Sequence, residues 1–338
     1  MKIKTFTIIS LLCVLLACGS QRNENQQSDT DEQTDTKMSI DFNADSAYQN
    51  IERQVAFGPR VPNTAAHRNC RDWLADELKR YGAEVTLQDM KLTAFDGTVL
   101  EATNIIGSYN PDAQNRLLLL AHWDCRPWAD ADPDPANHKK PVDGANDGAS
   151  GVGVLLEIAR LLHANPTDKG IDILFVDAED WGTEGDDLSW AMGARYFAAN
   201  PHRASYRPQQ AILLDMVGGK DAVFYREYFS MSSAPWLVDK VWNTAANSGY
   251  SERFNNEVGG AVTDDHVELI KAGIPAIDII EHHPYNGFNP TWHTIDDTME
   301  GISRETLKAV GQTVANYIYD IHWSAPHHIN TTTYKSAD

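Results

Sequence analysis

Five short segments carry side chains able to bind a metal or move a proton. They are His122-Trp123-Asp124, Asp147 within Gly144-Ala145-Asn146-Asp147-Gly148, Asp177-Ala178-Glu179-Asp180, Asp215 after Leu213-Leu214, and His293 within Trp292-His293-Thr294. Each follows a strand-like run or directly precedes a helix, where open α/β sheets bind ligands. Taken singly, each is ordinary. Asp147 could cap a helix, His122 could be a satisfied core histidine, and Glu179 or Asp180 could be solvated loop carboxylates. Taken together they are not, because converging carboxylates repel one another unless a cation or a shared proton compensates. Histidine and carboxylate ligands suit a divalent ion. With no cysteine framework on offer, the expected ion is zinc.

The elements that must hold these segments can be read from periodicity. Ala47, Tyr48, Ile51 and Val55 share one helical face, predicting a helix over residues 45–57 stopped by Gly58-Pro59. A second helix is predicted over 64–81, ending at Gly82, with Leu74 and Leu78 inward. Strands follow over 84–89 and 99–106 around an Asp96-Gly97 turn, then over 116–121, a continuous apolar run typical of a strand covered on both faces. Beyond it come a helix over 148–162, a strand over 171–176, a helix over 189–199 and a strand over 211–214. Helices over 235–247 and 265–271, a strand over 274–280 and a closing helix over 303–322 complete the pattern. Such alternation predicts an α/β three-layer sandwich, with a mixed, mostly parallel central sheet flanked by helices. One catalytic domain is expected over 41–325, with a C-terminal tail over 326–338.

The chain has 338 residues, 42% of them hydrophobic, and its 48 acidic residues against 28 basic ones give a formal charge of −20. That charge repels nucleic acid phosphates, so no nucleic acid partner is expected. Lys2 and Lys4 precede an apolar run over 6–16 that is too short to span a bilayer. The run ends in Leu15-Leu16-Ala17-Cys18, which resembles a bacterial lipoprotein cleavage box. Residues 1–17 then form a signal peptide and Cys18 becomes lipidated, which places the protein outside the cytoplasm on a bacterial membrane, periplasmic or at the outer surface. An ordinary secretory signal is the alternative. Residues 19–37 are polar and almost free of apolar side chains, so the stretch 18–40 reads as a flexible tether. Cys13 leaves with the signal, so only Cys70 and Cys125 remain to pair, and their spacing does not establish a disulfide.

The motif order His-x-Asp, Gly-Ala-x-Asp-x-x-Ser-Gly, an acidic pair, Leu-Asp and a late His-Thr resembles the zinc aminopeptidase superfamily. Within it, residues 57–62 (Phe-Gly-Pro-Arg-Val-Pro), Asp264-Asp265-His266, Gly273-Ile274-Pro275 and the run from Trp292 to Asp297 are most similar to the animal-type glutaminyl cyclases. The resemblance covers about residues 45–322. It implies conversion of an N-terminal glutamine of peptides or proteins to pyroglutamate with release of ammonia. It also implies one zinc on Asp147, Asp180 and His293, and Glu179 as the proton shuttle. Asp264 and Asp215 are expected to share a proton and receive the leaving group. Trp292, Phe288 and Trp181 are expected to line the substrate pocket. The alternative reading is a di-zinc aminopeptidase, with His122 and Asp215 binding a second ion. Two departures stand out. The second acid of the pair is Asp180, one methylene shorter than the frequent glutamate. A pocket tryptophan of the animal enzymes falls at Gly185 in an ungapped alignment, leaving Trp181 or Trp190 to replace it. His282-His283 is expected at the pocket rim, and residues 130–141 as a surface loop instead of a calcium site.

Overall fold

The computed structural model describes residues 40–320. The expected signal peptide, Cys18, nearly all of the tether and the tail over 326–338 lie outside the described residues. The described chain opens with α1 (Ala44–Val55), whose N-cap Asn43 side chain accepts from the Ser46 amide, and α2 (Ala65–Arg80), capped in the same way by Thr64. Strands β1 (Glu84–Thr93) and β2 (Val99–Tyr109) form an antiparallel hairpin. Then β3 (Arg116–His122), α3 (Ala149–Ala164), β4 (Gly170–Val176), α4 (Met192–Ala199) and β5 (Gln210–Asp215) alternate. They are followed by β6 (Phe224–Arg226), α5 (Tyr228–Ser233), α6 (Pro235–Asn247), β7 (Phe254–Val258), α7 (Asp265–Lys271) and β8 (Ala276–Ile280). A small hairpin of β9 (His282–His283) and β10 (Gly287–Phe288) precedes the closing helix α8 (Arg304–Asp320).

The six-stranded sheet runs β1-β2-β4-β3-β5-β8, parallel from β4 to β8 and antiparallel where β2 joins β4. The expected mixed, mostly parallel sheet between helical layers is therefore what the chain forms. Alternation explains its covering. Leu117, Leu119 and Ala121 face α1, α3, α6 and α8, whereas Leu118 and Leu120 pack with Phe197 of α4 and Leu269 of α7. Every residue of β3, β4 and β5 is buried, which is why these strands read as mostly apolar runs; the acid inside β4, Asp172, is paired with Arg116 of β3.

Close approach of α3 to the sheet depends on glycine. A Cβ at Gly151 would collide with the Leu214 carbonyl oxygen at the end of β5. Gly151→Ala is expected to destabilise the fold by about 1–3 kcal/mol, read as a lowered Tm, because backbone and not a flexible side chain must give way.

Five short elements escaped the sequence reading: β6, α5, β7, β9 and β10. They are too short to show a period, and α5 owes its start to Glu227, whose carboxylate accepts from the Phe229 and Ser230 amides. The helix expected over 189–199 begins later, at Met192, after a tight turn over Asp187–Ser189 capped by Asp186. Cys70 and Cys125 are separate buried thiols, each with its pKa pushed up by burial. Among the described residues no helix is long and apolar enough to cross a membrane.

Candidate active site

Strands β4, β3 and β5 are neighbours, so their carboxyl ends deliver the segment from Asp177 to Asp180, His122 and Asp215 side by side. This crevice is the expected ligand position of an open α/β sheet. Asp147 joins them from the loop before α3. It does not cap that helix: Gly148 is the N-cap residue and makes no side-chain cap bond, which leaves the Asp147 carboxylate free to face the cluster. The left-handed backbone at Ala178, Met216 and His293 turns the chain sharply at three of these points.

Two buried groups of ligand-type atoms result, each lying within 4.8 Å of one another: Asp147, Asp180 and His293, and His122, Asp147 and Asp215. In the first, His293 Nε2 is 3.1 Å from Asp180 Oδ1 and 3.6 Å from Asp147 Oδ2. Both Asp180 carboxylate oxygens are buried without a hydrogen-bond partner. Orphaned buried acceptors beside a second carboxylate and an imidazole are the donor set that a zinc ion satisfies, so these residues fit the ion. In the second group, His122 Nε2 lies 3.0 Å from Asp147 Oδ1 and 3.2 Å from Asp215 Oδ1.

Residues around the cluster hold it in place. Asp124 accepts from the backbone amides of Glu179 and Asp180, both at 3.2 Å, which fixes the acidic pair. Asp297 accepts from the amides of Asn146 and Asp147 at 2.7 and 3.0 Å. Asp297→Ala would leave two buried amides unpaired, so a loss of about 2–4 kcal/mol is expected in denaturant unfolding, with weaker zinc retention. Arg126 donates to the Asp180 and Gly182 carbonyls and pairs with Asp130, whose Oδ1 lies 3.6 Å from His293 Nδ1. The sequence reading missed the parts played by Asp297, Arg126 and Asp130. The segment over 130–141 is more than a surface loop, since the Ala131 amide donates to the His293 carbonyl and Asp132 accepts from the Ile295 amide. Asp132 also accepts from Asn137 and the Asp134 amide, so it serves the loop's own fold.

Electrostatics follow from this crowding. Burial, with repulsion from Asp264, Asp180 and Asp265, pushes Glu179 well above its ordinary value against the pull of His122. Burial and Asp264 raise Asp215 to about 7, opposed by its bond from His122. Burial opposes the charged form of His122, but Asp124, Asp147 and Asp215 together hold it well above the usual histidine value. Asp264 is raised chiefly by burial. One of its oxygens caps α7 and the other has no partner. Atoms of Asp264, His266 and Asp278 form a third buried group, and Asp278 was not anticipated.

A cavity of about 540 Å³ opens onto the cluster, lined by Asp147, Glu179, Asp215, Asp264 and His293 together with Phe288 and Trp292. Its aromatic wall is a stack of rings. His293 lies between Trp292, at 3.6 Å between centroids, and Trp190, at 5.9 Å, and Phe288 stacks on the far side of Trp292 at 4.5 Å. His282 meets Phe288 edge-on and lines the cavity as well, while His283 turns to Tyr225. Trp181 corrects one expectation. It does not line the cavity but packs with Met90, Leu100 and Cys125 under the β1–β2 hairpin, its indole reaching Asp96. Trp190 takes the pocket position instead, resting on Gly182, where a Cβ would strike its ring.

The chain matches peptidase family M28 over residues 104–318. It is 51% identical to a solved glutaminyl cyclase of Bacteroides thetaiotaomicron bound to N-acetylhistamine, with a TM-score of 0.82 over 83% of this chain and 99% of that one. A solved Zn-dependent exopeptidase of Parabacteroides distasonis is 54% identical, with a TM-score of 0.82 over 84% of this chain and 100% of that one. The glutaminyl-peptide cyclotransferase of Bos taurus is 23% identical over 293 residues, covering 77% of this chain and 78% of the bovine protein. With its buried His and Asp groups at the strand ends, this chain belongs to peptidase family M28, a family of zinc-dependent enzymes.

Proposed function

We propose that the protein is a glutaminyl-peptide cyclotransferase, acting on the amino ends of peptides and proteins. One observation carries the reading. A single cavity joins Glu179 and Asp264 to Asp147 and His293 under an aromatic wall of Trp190, Phe288 and Trp292. The reaction needs a proton shuttle beside the amine and an apolar wall that keeps water from competing with it.

Asp147, Asp180 and His293 would hold one zinc ion, which when bound supplies a Lewis acid that polarises the γ-carboxamide oxygen of the substrate. The chain's own groups do the rest. Phe288 and Trp292 pack against the glutamine side chain and fold it back, so that the α-amine nitrogen faces the carboxamide carbon. As the new C–N bond forms, Glu179 takes a proton from the amine. It returns that proton to the carboxamide nitrogen as the old C–N bond breaks, and ammonia departs, leaving a five-membered lactam. Asp264 and Asp215, both raised and facing the same cavity, share a proton and hydrogen-bond the departing nitrogen.

A second reading has one observation in its favour: His122, Asp147 and Asp215 form a group that could hold another ion, as a di-zinc aminopeptidase requires. The products separate the two. A cyclotransferase releases ammonia and pyroglutamyl peptide from glutaminyl peptides, whereas an aminopeptidase releases free amino acids. The leader over 1–17 and Cys18 support export and lipid anchoring to a bacterial membrane. Cys18→Ser, followed by membrane fractionation, tests that placement.

A further inference from the structure

The mouth of the cavity carries charge that the reaction does not use. Glu184 and Asp187 line the cavity on the loop between β4 and α4, and both are exposed. Neither carboxylate makes a hydrogen bond or ion pair among the described residues. Their loop is nevertheless fixed. Ser189 Oγ accepts from the Thr183 amide at 2.8 Å and donates to the Asp186 carbonyl at 2.6 Å, and Arg195 donates to the Leu188 carbonyl at 2.7 Å. Among the described residues, Arg126 is the only lysine or arginine lining the cavity. Its guanidinium is already committed to Asp130 and to the Asp180 and Gly182 carbonyls. The mouth therefore offers two uncompensated carboxylates and no free cation.

A peptide whose N-terminal glutamine sits against Glu179 must leave through this mouth, so its next residues pass Glu184 and Asp187. We infer that Glu184 and Asp187 select peptides carrying lysine or arginine just after the glutamine and disfavour acidic residues there. This rests on the cyclotransferase reading and adds the class of substrate to it. The chain's formal charge of −20 works in the same direction, attracting cationic peptides from a distance. Exposed pairs are individually weak and screened by salt, so two carboxylates acting on opposite substrate charges are expected to separate them by about tenfold.

The test uses the whole protein and three amidated peptides of equal length, differing only in lysine, alanine or glutamate after the glutamine. The expected order of kcat/KM is lysine, alanine, glutamate, with a spread of about tenfold carried in KM. The spread should shrink to within about twofold in E184Q/D187N, and likewise in wild type at ~1 M salt. Because the readout is a ratio within each protein, partial misfolding of the variant does not mimic it. Equal kcat/KM for the three peptides in wild type, or a spread that survives in the double variant, overturns the selectivity alone. If none of the peptides releases ammonia, the cyclotransferase reading falls and this inference with it.

Discussion

Glu179→Gln is expected to lower turnover of a glutaminyl peptide by about 10²–10⁴-fold, the usual worth of a positioned general base. Zinc content and Tm should not fall. The substitution keeps the shape of the side chain, and the Glu179 backbone amide still donates to Asp124. Glu179 also stands outside the group formed by Asp147, Asp180 and His293. Burial already holds the Glu179 carboxyl toward its neutral form, so the neutral amide of similar shape should leave Tm unchanged. The variant therefore separates chemistry from folding. Turnover within tenfold of the parent would place the proton shuttle elsewhere, and a loss of zinc would mean that Glu179 is itself a ligand.

His293→Ala should have two effects at once. Loss of an outer partner typically costs a metal site 10–100-fold in affinity, so loss of a ligand should exceed about 100-fold in a chelator competition. The second effect is structural. The imidazole fills the space between Trp190 and Trp292, so its removal takes the middle ring out of the stack. A destabilisation of about 2–4 kcal/mol is expected even without metal, by the cost of an unfilled gap among packed rings. His293→Phe provides the comparison: it restores packing but not zinc. Normal zinc affinity in His293→Ala would remove this residue from the centre.

The strands that carry the site were legible because burial on both faces leaves a continuous apolar run in β3 and a nearly continuous one in β4, broken only by Asp172. Helices α6 and α7 were placed at their observed limits, each with a residue that starts it: Pro235 in the first turn of α6 and the Asp264 cap of α7. The groups that hold the cluster were not legible. Asp297 acts on backbone amides about 150 positions away, and Arg126 on carbonyls more than 50 positions away. Nothing local distinguishes such an aspartate or arginine from a surface one. Asp297 closes the quoted run from Trp292 to Asp297 and Arg126 stands two positions after His122-Trp123-Asp124, and that placement was the one available signal. Trp181 misled for a related reason. It adjoins Asp180 in sequence, yet the turn at Ala178 and the bond of its indole to Asp96 send it behind the loop. Trp190, nine positions on, folds back over Gly182 into the cavity.

The most direct test of the central claim is a zinc titration of metal-stripped protein, followed by ammonia release from a glutaminyl dipeptide. With Asp147, Asp180 and His293 holding the working ion, ammonia release should rise linearly with added zinc and level off at one equivalent per chain. No ammonia at any zinc level, or activity that needs two equivalents and yields free amino acids, would contradict it.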